Sequence, residues 1–207
     1  MTASGMDLTG FALAVLLIEL TPGPNMAWLA GLAATEGRRT GLSAVAGVAL
    51  GLLASGTLAA LGLAAVLRAM PALWHMLRLA GAAMMGWMAI AAWRGAGKAA
   101  ANGPAADGTR RAFVTGALIN LLNPKAYMLF VVVAPQFLNG EVLTLGNALL
   151  LSLVSAAIAT AIHCAIVLAG SQAQAWLADS ARTQWVQRGF AVIIFGVALS
   201  FLLVDIG

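Results

Sequence analysis

Leu17-Ile18-Glu19-Leu20-Thr21-Pro22-Gly23-Pro24-Asn25 and Leu118-Ile119-Asn120-Leu121-Leu122-Asn123-Pro124-Lys125-Ala126 are the two stretches that decide the fold. Each lies inside a long apolar run and interrupts it at a corresponding place. Proline has no N–H, so Pro22 and Pro24 free the carbonyls of Ile18 and Leu20, and Pro124 frees that of Asn120. The residues before them, Thr21, Gly23 and Asn123, are pushed away from helical geometry. Each helical proline costs about 3 kcal/mol relative to alanine. In hydrocarbon, irregular backbone survives only where protein or a water-filled cavity surrounds it. Two matched breaks are therefore read as functional, the alternative being simple proline kinks that shape packing.

Working outward, the composition demands a lipid solvent. Hydrophobic residues make up 62% of the 207 and charged residues 9%, where a soluble domain carries roughly a quarter charged. Mean hydropathy is +0.95. The length suits about six spans of roughly 20 residues. The continuous apolar runs exclude a β-barrel, whose strands alternate apolar and polar residues. The single cysteine, Cys164, allows no intrachain disulfide and no CxxC motif. Two histidines and seven acids, unclustered, give no catalytic or metal centre. Neither an enzyme nor a cofactor is expected. The N-terminus lacks the Lys/Arg that opens a signal peptide, so its first apolar stretch is expected to be retained.

The expected organisation is one transmembrane domain over 1–207: a half-repeat at 8–94, a Gly/Ala-rich linker at 95–111 and a half-repeat at 112–204. The apolar segments run over 8–34, 41–67, 71–93, 112–138, 142–169 and 188–204, with 171–187 lying along the interface. Trp74 and Trp93, about 28 Å apart on a helix, suit an aromatic pair at the two interfaces. Each half begins with a proline-broken helix followed by two unbroken ones. Three spans per half gives the halves opposite orientation, the inverted-repeat plan of many secondary transporters. The expected fold is thus an all-α membrane protein of six transmembrane helices in two inverted three-helix repeats, with the first and fourth helices broken by proline.

Charge sets the orientation. Arg38, Arg39, Arg94, Lys98, Arg110, Arg111, Arg182 and Arg188 fall in loops on one side, and Arg68 alone on the other, with Asp7, Glu141 and Asp205. Eight against one is a strong positive-inside asymmetry. Both termini are expected to face the periplasm, and the net charge of +4 reports topology rather than nucleic-acid binding.

Inside the spans, charge is costly, roughly 2.5–3.5 kcal/mol near the centre, which singles out Glu19 and Lys125. They are read either as a helix-fixing pair or as functional groups, Lys125 more firmly because it abuts a break. His163, mid-way along the fifth span, is either a histidine bonded to a neighbouring helix or a proton carrier. Beyond Pro24, a half-helix starting near Asn25 offers free N–H groups to an anion. His75 and Arg78 are expected to reach the interface, and Met84, Met85 and Met88 to fill the packing. Ser43, Gly47, Gly51, Ser55 and Ala59 form a small-residue ridge that permits close helix approach, within the chain or in a homodimer.

Thr21-Pro22-Gly23-Pro24-Asn25, followed by Glu36-Gly37-Arg38-Arg39-Thr40-Gly41, resembles the N-terminal signature of the LysE/RhtB family of amino-acid exporters. Asn120-Leu121-Leu122-Asn123-Pro124-Lys125-Ala126, continuing to Ala134-Pro135-Gln136-Phe137, resembles its second signature, and Leu79 to Ala83 and Gly189 to Gly196 fit its third and sixth helices. The resemblance spans essentially the whole chain. It implies a bacterial inner-membrane exporter of amino acids or close derivatives, driven by the proton gradient. This chain departs from it in carrying Glu19 where many members have a small or apolar residue, Ser55 in place of a histidine and Met84 in place of an aromatic.

The expected substrate site comprises Thr21, Pro22, Gly23, Pro24, Asn25, Asn120, Asn123, Pro124 and Lys125. The N-terminus of the half-helix and Lys125 bind a carboxylate, freed carbonyls near Ile18, Leu20 and Asn120 take the amine, and Glu19 and His163 are candidates for proton coupling. Alternatives are export of a cation or other small solute, a non-transporting structural or assembly subunit, and a membrane enzyme. On the topology reading, a reporter fused at Gly207 should behave as periplasmic and one inserted near Asn102 as cytoplasmic. Cytoplasmic behaviour at Gly207 would mean an odd number of spans or a reversed chain.

Overall fold

The computed structural model describes residues 5–20, 24–95, 106–140, 143–172 and 180–201. Every regular element among them is helical. In order they are α1 (Leu8–Leu20), α2 (Pro24–Glu36), α3 (Arg38–Leu58), a π-helical turn (Ala59–Leu63), α4 (Ala64–Ala69), α5 (Pro71–Gly95), α6 (Ala106–Leu121), α7 (Pro124–Met128), a second π turn (Leu129–Val133), a 3-10 turn (Ala134–Phe137), α8 (Leu145–Gln172) and α9 (Ser180–Phe201). Three are long and apolar enough to cross a membrane: Arg38–Leu63, Pro71–Arg94 and Leu145–Gln172. Two more spans arise if each bent pair is one: Leu8–Leu20 with Asn25–Glu36, bent by 56°, and Gly108–Leu121 with Pro124–Phe137, bent by 51°. Both bends fall at the expected proline breaks. In α9 the apolar part, Gln184–Leu199, is shorter than a full span, and the expected end at Val204 lies outside the described residues.

The second break has a clear local cause. Asn123 takes an extended conformation and its side chain accepts from the Lys125 N–H, capping α7 with Pro124 in the first turn. An asparagine cap contributes about 1 kcal/mol, and proline at that position loses no helical hydrogen bond. The Asn123 N–H in turn donates to the Asn120 carbonyl at 3.1 Å. At the other end of this element the Asp7 N–H donates to the Phe137 carbonyl at 2.9 Å, and the Asp7 carboxylate accepts from the Gly10 N–H at 2.9 Å. Phe11 meets Phe137 edge to face, 5.9 Å between ring centres. The first and fourth elements are thus joined beyond the breaks as well.

The small-residue ridge lies inside the chain, against α6. A Cβ on Gly47 would run into the Phe113 carbonyl, and one on Gly116 into that of Ala44. At Gly51 it would sit 2.7 Å from the Ala117 carbonyl oxygen. Ser43 ties the same pair together, donating to the Thr109 carbonyl at 2.8 Å. Backbone-to-backbone approach this close is what glycine permits in lipid, where dispersion rather than the hydrophobic effect drives association. Around it, Trp28, Leu29, Val45, Val48, Met85 and Met88 join Ile194 and Ala198 in the main core. Many leucines and valines on the outside, Leu13, Leu17, Leu61, Leu79 and Val192 among them, are exposed, as a lipid-facing surface requires.

Four expectations change. The second span is not unbroken: Gly62 adopts φ 105 within the π turn, a kink beyond the straight α3. Glycine takes this left-handed backbone without the Cβ clash that other residues suffer. Trp74 is 1% exposed and packs with Leu67, Tyr127 and Val131, so it does not pair with the exposed Trp93 as an interfacial belt. Arg78 is buried, unlike its exposed neighbour His75. Finally, α6 starts at Ala106 and α9 at Ser180, so part of the expected linker and part of the expected interfacial stretch are helical.

The close approach is testable with one chemical change at two places. Gly47→Ala puts a methyl into the Phe113 carbonyl and should lower thermal stability in detergent by about 1–3 kcal/mol. Gly86→Ala, where a Cβ meets nothing within 4 Å, should be neutral or gain up to about 1 kcal/mol. Equal melting of the two variants would contradict the packing described.

Candidate functional site

The ends of the two breaks face each other. From the first come Ile18 and Glu19 at the end of α1 and Asn25 and Met26 at the start of α2; from the second come Asn120, Asn123, Lys125 and Ala126. Val48 and Leu52 of α3, Leu129 of the π turn, and Ala159 and His163 of α8 complete the lining of one small cavity. The cavity measures about 20 Å³, room for about one water. A free amino acid occupies far more space than that.

Two hydrogen bonds cross between the halves of the chain here. Asn25 Nδ2 donates to Asn120 Oδ1 at 3.2 Å, and Lys125 Nζ donates to the Ile18 carbonyl at 2.8 Å. The pattern is reciprocal, because the first residue after each proline reaches the last turn of the helix before the other break. The expectation that freed carbonyls stand open is corrected for two of the three. Ile18 is taken by Lys125, and Asn120 by the Asn123 N–H.

Several polar atoms in the same place have no partner. Asn25 Oδ1, Asn120 Nδ2 and His163 Nε2 are buried without a hydrogen bond. Leaving such a group unsatisfied costs about 1–3 kcal/mol, and three of them converge on one cavity. His163 Nε2 lies 3.9 Å from Glu19 Oε2, beyond hydrogen-bond reach but suited to one bridging water or ligand atom. Glu19, His163 and Lys125 all face the cavity.

Of the residues expected in the site, Asn25, Asn120, Asn123 and Lys125 meet here, together with Glu19 and His163. Pro124 is buried beside them and shapes the backbone without lining the cavity. Thr21, Pro22 and Gly23 lie outside the described residues, and of Pro24 only the backbone is described. The apolar wall of Met26, Val48, Leu52, Ala126, Leu129 and Ala159 was not anticipated. Its signal was spacing: Ala159 precedes His163 by four residues, and Val48 precedes Leu52 by four, so each pair shares a helix face.

The chain is similar in sequence to several known proteins. An uncharacterized membrane protein of Pseudomonas aeruginosa is 29% identical over 177 residues, covering 82% of each chain. The homoserine/homoserine lactone efflux protein of Salmonella typhimurium is 24% identical over 181 residues, covering 87% of this chain and 88% of its own. The threonine efflux protein of Escherichia coli is 29% identical over 136 residues, covering 63% and 66% respectively. No solved structure matches the chain. The model of the LysE type translocator matches residues 16–204, through both breaks and nearly to the end. This chain is a membrane protein of the LysE type translocator family.

Proposed function

We propose that the protein is a secondary transporter that exports amino acids or close derivatives across the bacterial inner membrane, driven by the proton gradient. The observation that carries this reading is the cavity between the two helix breaks, where a lysine, a glutamate and three unpartnered polar atoms converge. Efflux of homoserine, its lactone and threonine by relatives supports the substrate class.

In this reading the chain has six spans with α9 as the last, both termini face the periplasm, and the halves are inverted repeats. The packing supports it. The second and fifth spans, α3 and α8, pack together, as do α5 and α9, and each broken element lies against the second span of the other half. An inverted two-fold relation maps that scheme onto itself. Alternating access then means that the two cross-half bonds, Asn25 to Asn120 and Lys125 to Ile18, exchange for bonds to substrate as the bundle opens. Lys125 Nζ and Asn120 Nδ2 donate to the carboxylate. Glu19 and Asn25 Oδ1 accept from the ammonium. Glu19 and His163, separated by a gap that one atom bridges, carry the coupling proton.

A charge-assisted contact from Lys125 contributes about 1.5–3 kcal/mol, or roughly ten- to a hundredfold in binding. Lys125→Met keeps most of the length and removes the charge. Efflux from vesicles holding matched amounts of protein should fall by that factor, and a substrate amide should lose its disadvantage relative to the acid. Wild-type efflux of the acid by Lys125→Met would show that Lys125 is not the anchor. Glu19→Gln should fold normally and flatten the pH dependence of export. An unchanged pH profile would leave Glu19 a structural partner of His163.

A further inference from the structure

The polar groups of the cavity can be counted against those of an amino acid. Asn25 and Asn120 spend one donor and one acceptor on each other and leave one acceptor and one donor free. Reversing both amide assignments leaves the same pair. Asn123 spends its side-chain oxygen on the Lys125 N–H at 3.0 Å. A zwitterion brings two carboxylate oxygens and three ammonium hydrogens. The donors, Lys125 Nζ, the free amide nitrogen and Asn123 Nδ2, match the first, since two carboxylate oxygens accept up to about four hydrogen bonds. The acceptors, the Glu19 carboxylate and the free amide oxygen, match the second, with His163 Nε2 bridging to Glu19. The backbone of the substrate therefore consumes the polar set.

What remains is carbon. Ile18, Met26, Val48, Leu52, Ala126, Leu129 and Ala159 form the rest of the wall, and no described lining residue carries a side-chain hydroxyl. Ser55 donates to the Gly51 carbonyl at 2.9 Å, and Ser155, one turn before Ala159, is buried outside the lining. Resting on the proposed export of amino acids, we infer that the substrate's side chain is aliphatic and unhydroxylated, with these seven residues as its specificity surface. A hydroxyl placed against them would lose its water without gaining a partner. The chain would then differ in selectivity from relatives described by efflux of threonine and homoserine.

Isosteres test this. Proteoliposomes holding the purified full-length chain are loaded with valine and threonine, and separately with norvaline and homoserine, and efflux is compared within each pair. The apolar member should leave faster by roughly ten- to a hundredfold. Val48→Thr keeps the volume of the wall and adds an oxygen that can accept a hydrogen bond, so it should narrow the valine-to-threonine ratio severalfold. Equal efflux of valine and threonine by the wild type overturns the specificity inference while leaving amino-acid export standing. A ratio unmoved by Val48→Thr also overturns it. Movement of no amino acid from a mixture of all twenty sinks the export reading and this inference together.

Discussion

A backbone that leaves helical geometry inside hydrocarbon must find every partner from the protein itself. The rest of this structure follows from that constraint, imposed at two places. At the second break, Asn123 solves it locally, capping α7 with its side chain and closing a tight turn onto Asn120. At the first, the solution comes from the other half of the chain, with Lys125 reaching the Ile18 carbonyl. The breaks can be tolerated only while they face each other. The close approach of α3 and α6 helps to hold them there, and it requires glycine at Gly47 and Gly116, where each missing Cβ makes room for a carbonyl.

That arrangement also explains why polar groups collect without partners. Irregular backbone and the asparagines that serve it need room to turn, and the room left over is lined by whatever the turns do not use. Asn25 and Asn120 satisfy each other by half, and His163 stops short of Glu19. In a purely structural bundle such half-satisfied groups would be a net cost, and apolar replacements of similar shape would pack as well. Here they converge on one cavity between the two breaks.

Much of the fold was legible in the residues because proline and charge act through simple physics. Pro22, Pro24 and Pro124 cannot donate, so breaks had to occur near them, and Glu19 and Lys125 could not rest in lipid. Other features hid for equally physical reasons. Glycine is common in membrane helices for packing, so nothing marked Gly62 as a kink rather than another ridge position. Trp74 resembled an interfacial anchor because amphipathic rings favour that layer, yet it lies among Leu67, Tyr127 and Val131. Freed carbonyls were foreseeable; that Lys125 and the Asn123 N–H would occupy them depended on tertiary geometry.

The cavity wall is divided along the chain. Ile18, Glu19, Asn25, Met26, Val48 and Leu52 precede the segment at 96–105, and Asn120, Asn123, Lys125, Ala126, Leu129, Ala159 and His163 follow it. Neither part encloses the space, and each supplies one member of both hydrogen bonds that bridge it. The unit that can be inherited, duplicated or exchanged is therefore the matched pair. A change at one break alters the environment of the other, so the two cannot be varied independently.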